Sequence, residues 1–204
     1  MSVMRRLLIV LGFFLAAPAL AQALQPGVAS QFIRTLGDEA IATLRAPELP
    51  IEQREANFRV LLSRGFDMEF IGRFVLGQYW RTATPEQQAD YLQAFNDYVL
   101  QVYSARLGGY AGETLTVVSE RAAGEKDMMV NTRIDRPSGP PLEAQWRVRD
   151  TAGQPRIIDV MVAGVSMVVT QRDEFAAVVQ RQKVAGLIDV LRARTNKLPA
   201  SAAR

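Results

Sequence analysis

The sequence predicts a single α+β domain: N-terminal helices, a four-stranded antiparallel sheet, then C-terminal helices. Three observations predict it. Apolar residues recur at helical spacing up to about Leu107, at every second position through four segments between Thr114 and Val162, and at helical spacing again after Gly164. The alternating segments are joined by short turn-forming runs, Pro137-Ser-Gly-Pro-Pro141 and Asp150-Thr-Ala-Gly153, which set neighbours antiparallel. The stretch from Arg156 to Phe175 holds both periods, carrying a strand with apolar residues on both faces through Gly164 into a helix that Ser166 can cap.

The first helix runs from Val28 to Leu44, with Phe32, Ile33, Leu36, Ala40, Ile41 and Leu44 on one face. Pro47 and Pro50 close it, and a second helix follows from Ile51 to about Arg64 with Phe58, Leu61 and Leu62 inward. Asp67 starts a short helix through Met68, Ile71, Phe74 and Val75, which Gly77 ends. Thr84-Pro-Glu-Gln87 is a dense helix start, with a capping threonine, a proline at the first helical position and a glutamine placed for a capping box. The long helix it opens carries Tyr91, Leu92, Phe95, Tyr98, Val99, Val102 and Tyr103.

Glycines from Gly108 to Gly112 end the helical half. Strands follow over Thr114–Arg121, from Met128 to Asp135, from Leu142 to Arg149 and from Arg156 to Val162. In the third, Leu142, Ala144, Trp146 and Val148 alternate with Glu143, Gln145, Arg147 and Arg149, so one face meets water and the other needs a cover of helices. In the fourth, Ile158, Val160 and Val162 fall on one face and Ile157, Asp159 and Met161 on the other. A final helix holds Val184, Leu187, Ile188 and Leu191. Met128, Trp146 and Val160, set against Phe95 and Phe74, form either a packed core or the walls of a cavity.

The N-terminus has the layout of a secretory signal peptide: Arg5-Arg6, an apolar run from Leu7 to Leu15, and Ala19-Leu-Ala21 as a cleavage site, with Ala21-Gln-Ala23 as a second. The expected organisation is residues 1–21 as signal and 22–204 as one domain. Cleavage takes away two arginines and no acid, lowering the formal net charge from +3 to +1, a balance that does not suggest nucleic acid. With 49% hydrophobic residues the chain has enough for a sizeable core.

The chain contains no cysteine and no histidine. That removes disulfides, thiol chemistry, the commonest general base and the usual transition-metal ligand. No carboxylate cluster has metal-ligand spacing, no phosphate-binding glycine loop follows a strand, and no serine or threonine has an activating base. No catalytic and no metal residue is assigned, and the chain is not read as an enzyme.

Two motifs carry a family resemblance. Leu76-Gly, Trp80-Arg81, Pro85-Glu-Gln87 and the aromatics Tyr91 and Phe95 follow one another at fixed spacing. Asp159-Val-Met-Val-Ala-Gly-Val-Ser-Met-Val168 leads through hydrophobic residues to Arg172-Asp-Glu-Phe175, with Leu187-Ile188 and Leu191 closing the pattern. Together they resemble the MlaC family, auxiliary components of ABC transporters linked to toluene tolerance, over nearly the whole mature chain. Pro155-Arg-Ile-Ile158 and Thr170-Gln171 depart from its usual residues. The resemblance implies a monomeric periplasmic phospholipid carrier. Such a carrier shuttles lipid between an outer-membrane lipoprotein complex and the MCE-domain subunit of an inner-membrane ABC transporter, in the service of outer-membrane lipid asymmetry. It implies phospholipid as cargo, no cofactor, and a cavity between sheet and helices. The lipid-binding residues expected there are Phe70, Phe74, Leu92, Phe95, Val99, Met128, Val130, Ala144, Trp146, Val148, Ile158, Val160 and Val162. Two other readings stand beside it: a periplasmic chaperone shielding lipoprotein acyl chains or unfolded segments, and a small-molecule enzyme, against which the missing histidine argues.

Overall fold

The computed structural model describes residues 24–46, 48–104 and 112–197. The expected signal segment, the glycines up to Ala111 and the last seven residues lie outside this range. The helical half comprises α1 (Val28–Leu44), α2 (Ile51–Gly65), α3 (Met68–Leu76), a 3-10 turn (Gly77–Arg81) and α4 (Pro85–Ser104). The sheet comprises β1 (Thr114–Ala122), β2 (Asp127–Asp135), β3 (Leu142–Thr151), β4 (Gln154–Val162) and β5 (Val165–Ser166), all antiparallel and in chain order. Helix α5 (Met167–Lys197) completes an α+β fold.

Local chemistry accounts for the boundaries. The Asp67 carboxylate accepts from Phe70 N at 3.0 Å and caps α3. Thr84 and Gln87 form the reciprocal capping box, both bonds at 3.2 Å. Ser166 Oγ accepts from Val169 N at 3.1 Å at the start of α5. One cap comes from across the fold. Glu120 on β1 accepts from Gly27 N at 2.9 Å and Ser30 N at 2.7 Å, satisfying the first turn of α1. These bonds hold its carboxyl below the usual range against the opposing effect of burial.

The sheet has five strands rather than the expected four. Ala163 and Gly164 both have positive φ, 50° and 78°, which closes a two-residue hairpin and folds Val165–Ser166 back onto β4. The alternation expected along β4 is also interrupted. Trp146 pairs with Val160, but Val148 pairs with Ile157, so a bulge at Ile158 brings Ile157 onto the inner face. Ile157 is fully buried there. Helix α5 consists of two helical stretches that meet at a kink at Lys183, where φ is 64° and ψ is −179°.

Two cores result. Ala29 and Ile33 of α1 close on Met128, Val130, Val148 and Ile157 of the sheet. Val75, Leu76, Tyr91, Phe95, Phe175, Leu187 and Leu191 pack α3 and α4 on α5. Tyr91 is fully buried, donates to Gly72 O at 3.0 Å, and burial pushes its phenol upward. The chain also passes from α2 to α3 along the sheet edge, where Phe66 bridges to Ile157 and Asp67 N donates to its carbonyl at 2.9 Å. That crossing ties the helical layer to the sheet and leaves the layers to diverge beyond it.

Candidate functional site

A cavity of about 720 Å³ lies where the layers diverge, bordered by residues of both cores. Its helical walls are Leu36, Ala40, Ile41 and Leu44 of α1, Phe58, Leu61 and Leu62 of α2, Ile71 and Val75 of α3, and Phe95, Tyr98, Val99 and Val102 of α4. Leu115, Ile134, Trp146, Val160 and Val162 form its sheet side. Trp146 is fixed in place: its Nε1 donates to Thr132 Oγ1 at 2.9 Å, and that hydroxyl donates to Ala144 O at 3.2 Å. Besides Tyr98 and Tyr103, the polar lining among the described residues is Glu113, Thr114, Asp159, Gln171 and Glu174, with no arginine or lysine among them. Asp159 is committed to α5, accepting from Ser166 Oγ at 2.7 Å and from Val168 N at 3.3 Å.

Of the residues the sequence singled out, Phe95, Val99, Trp146, Val160 and Val162 line this cavity. The other eight do not. Met128, Val130 and Val148 lie on the sheet where α1 closes against it, so they are packed core. Ala144 and Ile158 are buried at 3% each without reaching the space. Leu92 packs beside Gly72, where a Cβ would stand 2.8 Å from its Cδ2. Phe70 and Phe74 face away from the cavity. Arg149 covers Phe70 at 4.7 Å and Arg172 covers Phe74 at 5.3 Å, each a cation–π contact, and Phe74 is 38% exposed. The inward face of α3 is instead the Met68, Ile71 and Val75 row.

The residues missed include Met68, Ile71 and Val75 of α3, Tyr98 and Val102 of α4, and Leu115 and Ile134 of the sheet, but the largest group belongs to α1 and α2. Their apolar faces are legible as helical stripes, and nearly every member borders the cavity. Gly37 is a further signal: it is a small residue in mid-helix where Leu115 of β1 approaches to 3.3 Å from a would-be Cβ.

Such a space suits a flexible apolar guest. Among the described residues no group of three or more carboxylates is gathered to hold a metal ion. No helix among them is long and apolar enough to cross a membrane.

Comparison with known proteins agrees. A family model described as "MlaC protein" matches residues 34–193. The intermembrane phospholipid transport system binding protein MlaC of Haemophilus influenzae is 23% identical over 74% of this chain and 74% of its own length. Toluene tolerance protein ttg2D of Pseudomonas putida is 28% identical over 51% of this chain and 48% of its own. The solved structure of a phospholipid-binding protein from Ralstonia solanacearum, in complex with a phospholipid, superposes with a TM-score of 0.73. It is 24% identical and covers 83% of this chain and 98% of that one, so the two share the fold.

Proposed function

The chain belongs to the MlaC family, and from that premise we propose that it is a periplasmic phospholipid carrier whose acyl chains occupy the cavity between sheet and helices. The observation that carries this reading is the cavity itself, about 720 Å³ lined almost throughout by aliphatic and aromatic side chains. Each buried methylene contributes about 0.8 kcal/mol, so about ten of them give about 8 kcal/mol, a dissociation constant near micromolar. That holds a lipid during transit and still allows release to a partner with a larger apolar site. The acidic and amide groups of the wall stay with the glycerol and head group, outside the apolar part. No reaction step is required of any side chain.

Phe95, Val99, Trp146, Val160 and Val162 are the sequence-derived residues that this reading keeps as lipid contacts, joined by the α1 and α2 stripes. It exchanges lipid with an outer-membrane lipoprotein complex and with the MCE-domain subunit of an inner-membrane ABC transporter, which receives or supplies the cargo. Export would follow from residues 1–21. Mature protein from the periplasm should lack about 21–23 residues by intact mass.

Native mass spectrometry of protein purified from bacterial periplasm tests the reading. Diacyl phospholipid should accompany the folded protein and leave on organic extraction. Protein that carries no lipid, and whose delipidated form takes none up from vesicles, would end it.

A further inference from the structure

We propose that a second groove, between the 3-10 turn Gly77–Arg81 and the bend in α5, is a docking site for an extended acidic segment of a protein partner. The groove encloses about 640 Å³. Gln78, Arg81, Gln180 and Lys183 stand on its walls over a floor of Val179 and Val184, and among the described residues no aspartate or glutamate borders it. It shares no lining residue with the larger cavity, so the proposal does not rest on the lipid reading. It gives a use to the Leu76–Arg81 motif, most of which the cavity leaves unexplained.

The backbone at Lys183 is the first argument. Its φ of 64° and ψ of −179° lie in a region that glycine occupies freely and other residues at a cost. The bend also needs a glycine at 186, where a Cβ would stand 2.4 Å from Gln182 Cβ, and the chain has one. At 183, where glycine would relax the backbone, it has a lysine instead. Strain of this kind points to use of the ammonium group, which the bend holds at the lip of the groove.

Charge is the second argument. Among the described residues neither Arg81 nor Lys183 has a carboxylate within ion-pair distance. The arginines beside them are already paired: Arg73, 4.8 Å from the Trp80 ring, with Glu69 at 3.2 Å, and Arg172, which passes 3.6 Å from a would-be Cβ on Gly77, loosely with Asp173 at 3.5 Å, so the unpaired positive charge is that of Arg81 and Lys183. Arginine and aromatic residues around a recessed apolar floor have the composition of a protein interface. A membrane surface fits less well: the floor is concave, and the Trp80 and Phe74 rings are covered by guanidinium groups, so none projects to enter a bilayer.

The probe is a fluorescein-labelled octapeptide alternating glutamate and alanine, titrated against the full mature protein by anisotropy and by amide chemical-shift mapping. Shifts should centre on residues 78–87 and 179–184. Arg81→Gln and Lys183→Gly should each weaken binding about tenfold and flatten its salt dependence. Lys183→Gly should also raise the melting temperature, since it relieves the backbone while removing the charge. Three results would overturn the proposal: shifts spread over all arginine-bearing surfaces, full competition by inorganic phosphate at millimolar concentration, or phosphatidylglycerol vesicles binding through these residues while the peptide does not.

Discussion

Narrowing the cavity with Val160→Trp separates lipid binding from folding. Val160 pairs with Trp146 across β3 and β4, and both side chains border the cavity. Trp146 is held by its bond to Thr132, so the new ring is directed toward the open volume rather than displacing its neighbour. Tryptophan adds about seven heavy atoms; with about half of that volume taken from the acyl chains, roughly four methylenes are displaced, costing about 3 kcal/mol, or about two orders of magnitude in affinity. The same substitution in a close-packed core would cost about 1–3 kcal/mol of stability. In an unfilled space of about 720 Å³ the ring finds room, and delipidated mutant should melt within a few degrees of delipidated wild type. Native mass spectrometry of the co-purified protein reads occupancy, and differential scanning calorimetry after organic extraction reads stability. A mutant that unfolds would return this face of the sheet to ordinary core. A mutant that retains full occupancy would put the acyl chains elsewhere.

Three further outcomes are expected. Glu120→Ala removes the cap on α1 and should cost about 1 kcal/mol in urea unfolding. The folded pKa of Glu120 is depressed, as is that of Asp127, so their contribution is present above the unfolded carboxylate pKa and lost as pH falls through the folded values. The urea midpoint should therefore drop below about pH 4, less steeply in Glu120→Gln, and equal pH profiles for wild type and variant would refute the role of the cap. Gly72→Ala forces a Cβ to 2.8 Å from Leu92 Cδ2 and 3.1 Å from Phe95 Cδ1, so it should lower stability by about 1–3 kcal/mol; an unchanged thermal melt would show that this α3–α4 contact is loose. Competition between vesicles of zwitterionic and anionic phospholipids should discriminate less than about tenfold, about 1.4 kcal/mol, with the zwitterionic lipid ahead because the charged groups of the lining, among the described residues, are all acidic. A preference beyond that range, or of opposite sign, would reveal a polar head-group site elsewhere.

Much of this fold can be read from residue order because its signals are local. The Thr84–Gln87 box, the Asp67 cap, the alternation from Leu142 to Arg149 and the stripe from Phe32 to Leu44 each act within a few residues, and each forms as its spacing dictates. The resemblance carried by the two motifs was legible for the same reason. The two C-terminal helices, one opened by Ser166 and one holding Val184 to Leu191, were legible as well, and α5 divides between them at Lys183. The bulge at Ile158 was not, because a bulge depends on the pairing partner.

The chain order by itself determined which residues turn inward. Helical and strand periods report the apolar face of an element, and they marked the α1, α2 and α4 faces that border the cavity. Only the tertiary structure decided which inward residues meet packed core and which meet open space. Val130 and Val160 alternate to the same side of the sheet, yet α1 closes over the first and stands away from the second. Phe70 and Phe74 carry the largest apolar side chains of α3, yet neither reaches the cavity: Phe70 is half-buried against the helical core under Arg149, and Phe74 is exposed under Arg172. The distance between two layers is set by the tilt of whole helices and by the Phe66–Ile157 crossing at the sheet edge, and no periodicity along one element encodes it.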